Sequence, residues 1–305
     1  MAEVTWTDVA PRDGLQTIAD TVPTEVKVRL IEGLLAAGVP RVEATSFVSP
    51  QWVPQLADAA AVLRGLGPEP LQRLRVLIPN RRGLELALEH DVRNVLYTIG
   101  ATETFNRRNV NRSVAESLDD LDLVVGDART VGAAVDVAVS VAFGCPFEGF
   151  VDAQRVVDLC AELVRRGAAE VGIADTIGVA HPAAVRELCA RAGDVVPDGR
   201  LSLHVHDTRG LGVANVLVAY EAGVTRFDGS AGGLGGCPFA PRSTGNVCSE
   251  DALQAVASAG GVHGCDLVAY CRVSDVLAAD LGMELPGKLY RAGVWNGAVV
   301  EEPVA

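Results

Sequence analysis

Aromatic residues are scarce in this chain, at 5% of 305 positions, so its core has to be built from Ala, Val, Leu and Gly. A chain of this length has enough of them to bury a large one. Basic residues are outnumbered: 26 Lys and Arg stand against 39 Asp and Glu, for a net charge of −13. That balance argues against nucleic acid or an anionic membrane surface as the main partner, since both call for a net basic face. A small anionic substrate held by a local basic cluster stays open. No stretch approaches the roughly 20 consecutive apolar residues of a membrane span. None of the seven Cys stands in a CxxC pair, and residues 1–10, MAEVTWTDVA, show neither a basic start nor a long apolar run. The expectation is reduced thiols and a cytoplasmic location.

What the chain does have is a regular alternation. Short β-branched runs (Val4–Val9, Arg41–Thr45, Arg75–Ile78, Val92–Thr98, Val135–Val141, Glu170–Ala174, Leu201–Val205 and Arg226–Gly229) read as eight strands. Between them lie segments of helical period, among them Thr24–Ala37, Leu118–Thr130, Ala153–Arg166 and Pro182–Ala192. Thr24 is a candidate N-cap, and Gly38, Gly167 and Gly223 stand where left-handed C-caps are expected. Strand, helix and strand joined by short turns imply parallel pairing, and eight such units close into a (β/α)₈, or TIM, barrel. The expectation is one catalytic domain over 1–305, with the barrel ending near 258 and a helical extension over 259–305 that includes Asp266–Leu281.

In such a barrel the chemistry gathers at the C-terminal ends of the strands. The first strand ends in Asp8-Val9-Ala10-Pro11-Arg12-Asp13-Gly14-Leu15-Gln16. The seventh carries His204 and His206, which share a face because side chains two apart in a strand point the same way. Two imidazoles so placed suit a metal ion. After the eighth strand, Gly232-Gly233-Leu234-Gly235-Gly236-Cys237-Pro238 offers a lone thiol on an adaptable glycine loop, which reads as a mobile acid/base. Asn246 follows, with an amide oxygen suited to a hard cation.

Together with Thr45-Ser46-Phe47-Val48-Ser49-Pro50, Asp175-Thr176-Ile177-Gly178 and His204-Val205-His206-Asp207-Thr208, these segments resemble the 3-hydroxy-3-methylglutaryl-CoA lyases of the DRE-TIM metallolyase superfamily, from about Thr7 to Asp251. The most specific element is GLGGCPFAP with GN a few residues on. The resemblance implies a divalent metal (Mg²⁺ or Mn²⁺, with Co²⁺ or Zn²⁺ as alternatives) on Asp13, His204, His206 and Asn246. It gives Arg12 the developing enolate, Glu43 the orientation of Arg12, Cys237 a mobile acid/base role, and Asp175 or His204 a part in proton transfer. Gln16, Ser46, Asn106, Arg107 and Arg108 become candidates for contact with substrate or the CoA tail. The implied reaction is carbon–carbon cleavage of 3-hydroxy-3-methylglutaryl-CoA to acetyl-CoA and acetoacetate. A homodimer is expected on general grounds, because closed two-fold symmetry is the commonest oligomer.

The chain departs from the family at Thr17-Ile18, where Asn-Glu is usual, and at Arg209-Gly210-Leu211, where the animal enzymes have Tyr-Gly-Gln. Those changes leave citramalyl-CoA or 3-hydroxy-3-isohexenylglutaryl-CoA as alternative substrates. A Claisen-type condensing enzyme of the same superfamily would lack the GGCP loop. A non-catalytic binding barrel would have no need of the complete set.

Overall fold

Val, Ile and Thr suit a pleated surface, whereas Ala, Leu, Glu and Arg lose little in a helix. The computed structural model, which describes residues 3–236 and 245–295, follows that division. Strand β1 (Thr5–Asp8) leads to α1 (Thr24–Ala36), β2 (Arg41–Ser46), α2 (Ala59–Leu66), β3 (Leu74–Leu77), α3 (Arg81–Glu89), β4 (Asn94–Gly100), α4 (Glu103–Val110), α5 (Val114–Thr130) and β5 (Ala134–Ser140). A short hairpin, β6 (Gly144–Cys145) with β7 (Gly149–Phe150), precedes α6 (Ala153–Arg165), β8 (Val171–Asp175), α7 (Pro182–Gly193), β9 (Leu201–Val205), α8 (Gly212–Glu221), β10 (Arg226–Gly229) and α9 (Ser249–Ser258). The sheet runs β1-β2-β3-β4-β5-β8-β9-β10, and β10 pairs in parallel with β1 to close it. This is a TIM barrel.

Local chemistry explains most boundaries. Gly38, Gly167 and Gly223 end their helices at φ of +85°, +92° and +92°. At Gly38 a Cβ would also lie 2.6 Å from the Gly264 carbonyl oxygen. Thr24 is not the cap of α1. Pro23 holds that position, and the Thr24 hydroxyl instead donates to Asp58 Oδ2 at 2.7 Å. The other oxygen of Asp58 takes the buried ammonium of Lys27 at 2.6 Å, so the helix start is tied to the loop before α2.

Beyond the barrel, α10 (Leu267–Leu281) begins at Asp266, whose carboxylate accepts from the N–H groups of Val268 and Ala269. It ends at Gly282 in the left-handed region, and α11 (Leu289–Ala292) follows. Helix α10 sends two hydroxyls under the barrel wall: Tyr270 donates to Asp8 and Ser274 to Glu250. All four of these residues are completely buried. The six described cysteines are free and buried, including Cys160, Cys189 and Cys271 on helices.

The lumen departs from the usual stack of branched aliphatics. Glu43, Arg75, Asp136, Glu170 and Asp228 are all nearly or wholly buried. Toward the N-terminal ends of the strands, Arg41 donates to Thr7 Oγ1, Asp136 and Glu170 at 2.9–3.0 Å, and Arg226 reaches Glu170 at 3.2 Å. Buried charges persist only when paired, and here guanidinium and carboxylate alternate up the barrel axis.

Candidate active site

The turn after β1 is a single π-helical turn, Ala10–Gly14, in which the N–H groups of Arg12, Asp13 and Gly14 all point at the Val9 carbonyl. Such turns place consecutive side chains where a regular helix would not. Arg12 and Asp13 both end at the barrel mouth. Arg12 Nε pairs with Glu43 Oε1, and Arg12 Nη1 donates to Asp13 Oδ1 at 2.6 Å. Gln16 Nε2 donates to the same Asp13 oxygen at 2.6 Å. Burial works against the charge on Asp13. The cations of Arg12 and His204 outweigh it and hold the carboxyl below its usual range.

Asp13 Oδ2 is therefore left over, buried and without a hydrogen-bond partner among the described residues. It lies 3.8 Å from His206 Nε2. The rings of His204 and His206 are 5.1 Å apart, and Asp13, His204 and His206 each offer a ligand atom within 4.8 Å of the others. Asn246 joins this group by pairing its backbone with that of His206 across an isolated bridge. Its Nδ2 donates to the Leu234 carbonyl at 3.2 Å, and its buried Oδ1 has no described partner. Two orphaned oxygens beside two imidazoles form a mixed N/O donor set for a divalent cation, and unpaired buried oxygens are costly without one. The residues present fit a metal. Burial and the neighbouring His204 push His206 down to about 3, so it stands as a neutral imidazole, the form that binds metal. His204 goes the other way: burial is outweighed by Asp228 and Asp13, which raise it.

Asp175, at the end of β8, accepts from the N–H groups of Val179 and Ala180 at 2.9 Å, one on each oxygen. Burial raises its pKa even though those two bonds favour the charged form. Arg209, one of the departures from the family, donates to the carbonyls of Ile177 and Gly178 at 3.1 and 2.6 Å and so pins the same turn.

The remaining candidates divide. Ser46 is buried and its Oγ accepts from Val48 N at 3.2 Å, within its own turn. Asn106, expected as a CoA contact, is turned inward and buried. Its Oδ1 accepts from Gly100 N and its Nδ2 donates to Arg112 O, Ser113 O and Ser117 Oγ, all at 2.8–2.9 Å, in a buried junction. Arg107 on the same helix is exposed, with Glu103 at 3.8 Å, and the Arg108 guanidinium lies 4.2 Å over the Phe147 ring. Cys237 lies outside the described residues. Arg75 and Asp228 back the site from within the lumen and belong to none of the motifs that mark it in sequence. The signal for Arg75 in the sequence is a charged residue inside the apolar run Leu74–Leu77.

Comparison with known proteins agrees with this geometry. The HMGL-like family model matches residues 3–277. The (R)-citramalyl-CoA lyase of Chloroflexus aurantiacus is 43% identical over 303 residues, covering 96% of each chain. A cytoplasmic 3-hydroxy-3-methylglutaryl-CoA lyase of Danio rerio is 41% identical over 285 residues, covering 93% of this chain and 85% of that one. Among solved structures, an HMG-CoA lyase from Acinetobacter baumannii in complex with coenzyme A and 3-methylmalate superposes with a TM-score of 0.93 at 36% identity, covering 99% and 98% of the two chains. The chain belongs to the HMGL-like family and is a lyase that cleaves a hydroxyacyl-CoA.

Proposed function

We propose that the protein cleaves 3-hydroxy-3-methylglutaryl-CoA to acetoacetate and acetyl-CoA at the cluster of Asp13, His204, His206 and Asn246. The observation that carries the reading is the convergence of two unpaired buried oxygens, Asp13 Oδ2 and Asn246 Oδ1, with two imidazoles beside a paired arginine. A divalent ion held there, Mg²⁺ or Mn²⁺ by preference, supplies Lewis acidity toward the substrate's tertiary hydroxyl and lowers its pKa.

The chain's own groups supply the rest. His204 is the alternative base; Asp175, at the end of β8, is preferred as the group that removes the hydroxyl proton. Its burial moves it toward neutrality and fits it for that exchange. As the C2–C3 bond breaks, its electron pair passes to the thioester as an enolate and C3 becomes a ketone. Arg12 is a fixed cation for the enolate oxygen: Nε and Nη1 are bound to Glu43 and Asp13, which leaves Nη2. Cys237, by its match to the GGCP loop, returns a proton to C2. Arg107 and Arg108 on α4 take the phosphates of the CoA tail.

A second reading is favoured by a specific relative: the Chloroflexus aurantiacus protein is named for (R)-citramalyl-CoA. The two substrates differ by one methylene between the tertiary carbon and the free carboxylate, a distinction worth only about 1–3 kcal/mol in a pocket. The test is cleavage of both thioesters, and of 3-hydroxy-3-isohexenylglutaryl-CoA, by purified protein with Mn²⁺. Metal-dependent turnover of 3-hydroxy-3-methylglutaryl-CoA at the highest kcat/KM, abolished by chelator, is the expected result. A higher kcat/KM for citramalyl-CoA reassigns the substrate, and chelator-insensitive turnover removes the metal from the reaction.

A further inference from the structure

We propose that Arg75 is a positioning residue that sets both halves of the site with one guanidinium: through Glu43 it holds Arg12, and through Asp228 it holds His204. The inference rests on the lyase reading above. Arg75 is the second residue of β3, paired in register with Glu43 on β2, and is 1% exposed. Its Nε donates to Glu43 Oε2 and its Nη2 to Asp228 Oδ2, both at 2.7 Å. Glu43 gives its other oxygen to Arg12. Asp228 Oδ2 lies 3.7 Å from His204 Nδ1. The chain of contacts therefore starts at one member of the ligand cluster and ends at another: Asp13, Arg12, Glu43, Arg75, Asp228, His204.

Each link has a physical consequence. An imidazole that binds a metal through one nitrogen is oriented, and made more basic, by a carboxylate at the other. Asp228 Oδ2 stands on the Nδ1 side of His204, at an ion-pair rather than a hydrogen-bond distance. A guanidinium that is to meet an oxyanion must not rotate, and Glu43 fixes Arg12 by its Nε edge. Glu43 and Asp228 converge on a single nitrogen, Arg75 Nη2, at 2.6 and 2.7 Å. Two carboxylates so close would swing apart without the cation between them, and Arg12 and His204 would follow. Lys cannot replace this fork, because an ammonium is a point charge on a flexible stem. The competing role for Arg75 is only to neutralise Asp136 and Glu170, which lie 4.0 and 3.9 Å from Nη1. Lys would serve that purpose nearly as well.

The experiment compares wild type with Arg75→Lys, Asp228→Asn and Glu43→Gln. It reads unfolding midpoint, Mn²⁺ dissociation constant by calorimetry on the metal-free protein, and kcat and KM for the thioester cleaved. Arg75→Lys is expected to weaken Mn²⁺ binding about 10-fold or more and to lower kcat by at least about 10-fold, with KM little changed. Asp228→Asn is expected to reproduce the loss of Mn²⁺ affinity, and Glu43→Gln the loss of kcat with Mn²⁺ affinity intact. That division of labour is one a purely structural role would not give. A folded Arg75→Lys protein with wild-type Mn²⁺ affinity and kcat overturns the proposal. If Arg75→Lys does not fold, Asp228→Asn decides, because it leaves Arg75 in place: unchanged Mn²⁺ affinity there overturns it equally. Should wild type cleave none of the thioesters, the lyase reading fails while the Mn²⁺ measurements still decide the role of Arg75.

Discussion

Arg12 illustrates how much a single side chain is asked to do when its neighbours are fixed. Burial alone would push its guanidinium toward neutrality, but Glu43 and Asp13 more than reverse this and keep it a cation. It therefore meets a developing negative charge without having to reorganise. Replacing it with Met removes that charge and leaves Glu43 and Asp13 to find other partners. The expected outcome for Arg12→Met is a fall in kcat of about 10²–10³, with Mn²⁺ affinity changed far less, because Asp13 Oδ2 faces His206 rather than Arg12. Steady-state kinetics and a Mn²⁺ titration on one preparation check both halves. An Arg12→Met protein within about 3-fold of wild-type kcat would place enolate stabilisation elsewhere. Arg12→Lys should behave like Met, since one ammonium cannot replace the Nε and Nη1 bonds together.

At the scale of the element, helix α4 separates residues that share a sequence motif but not a role. Asn106, Arg107 and Arg108 are consecutive, yet Asn106 turns inward and ties β4, α4 and α5 together, while Arg107 faces out. Replacing Arg107 and Arg108 with Ala is expected to raise KM for the thioester several-fold and leave the unfolding midpoint nearly unchanged. Asn106→Ala should do the reverse, costing about 2–4 kcal/mol of stability by stranding buried partners. A midpoint unaffected by Asn106→Ala would mean that the junction is dispensable. The contrast shows what a sequence can carry. The strands were legible because β-branched runs alternate with amphipathic ones, and Leu201–Val205 and Arg226–Gly229 coincide with β9 and β10. His204 and His206 were legible because period two puts them on one face. The pairing of Arg75 with Asp228 was not, because it joins positions 153 apart in sequence through the barrel lumen, and only strand register decides who meets whom there. Thr24 misled for a similar reason: its hydroxyl is taken by Asp58, a long-range partner that no local capping rule anticipates.

Helix α10 binds to the barrel through buried acids, and this gives the whole molecule a pH dependence that can be dissected. Glu250, on α9, accepts from Ser274 of α10 and from the Gly232 N–H at 3.0 Å. Complete burial outweighs those bonds and raises its pKa to about 7 from an ordinary 4.5. Between those two values the folded protein keeps a proton that the unfolded chain has released, so folding stability declines as pH rises through that window and levels off above it. Asp8, which takes the Tyr270 hydroxyl, is raised by burial to about 6 and acts in the same sense. His206 opposes both: its depressed value near 3 makes the folded state gain stability as pH rises from about 3 to the ordinary 6.5. The profile of wild type alone is therefore a sum of opposed effects, and the informative quantity is a difference. Denaturant unfolding of wild type and Glu250→Gln, both metal-free, at several values from pH 5 to 8 isolates one group. The stability of wild type relative to Glu250→Gln should be greatest at pH 5 and fall by a few kcal/mol by pH 8, roughly 1.4 kcal/mol for each pH step within the window. Parallel stability curves for the two proteins would mean that Glu250 titrates like a solvated carboxylate. In that case the contact between Ser274 and Glu250 would not exclude water, and the attachment of α10 would rest on its apolar face against α1 and α9.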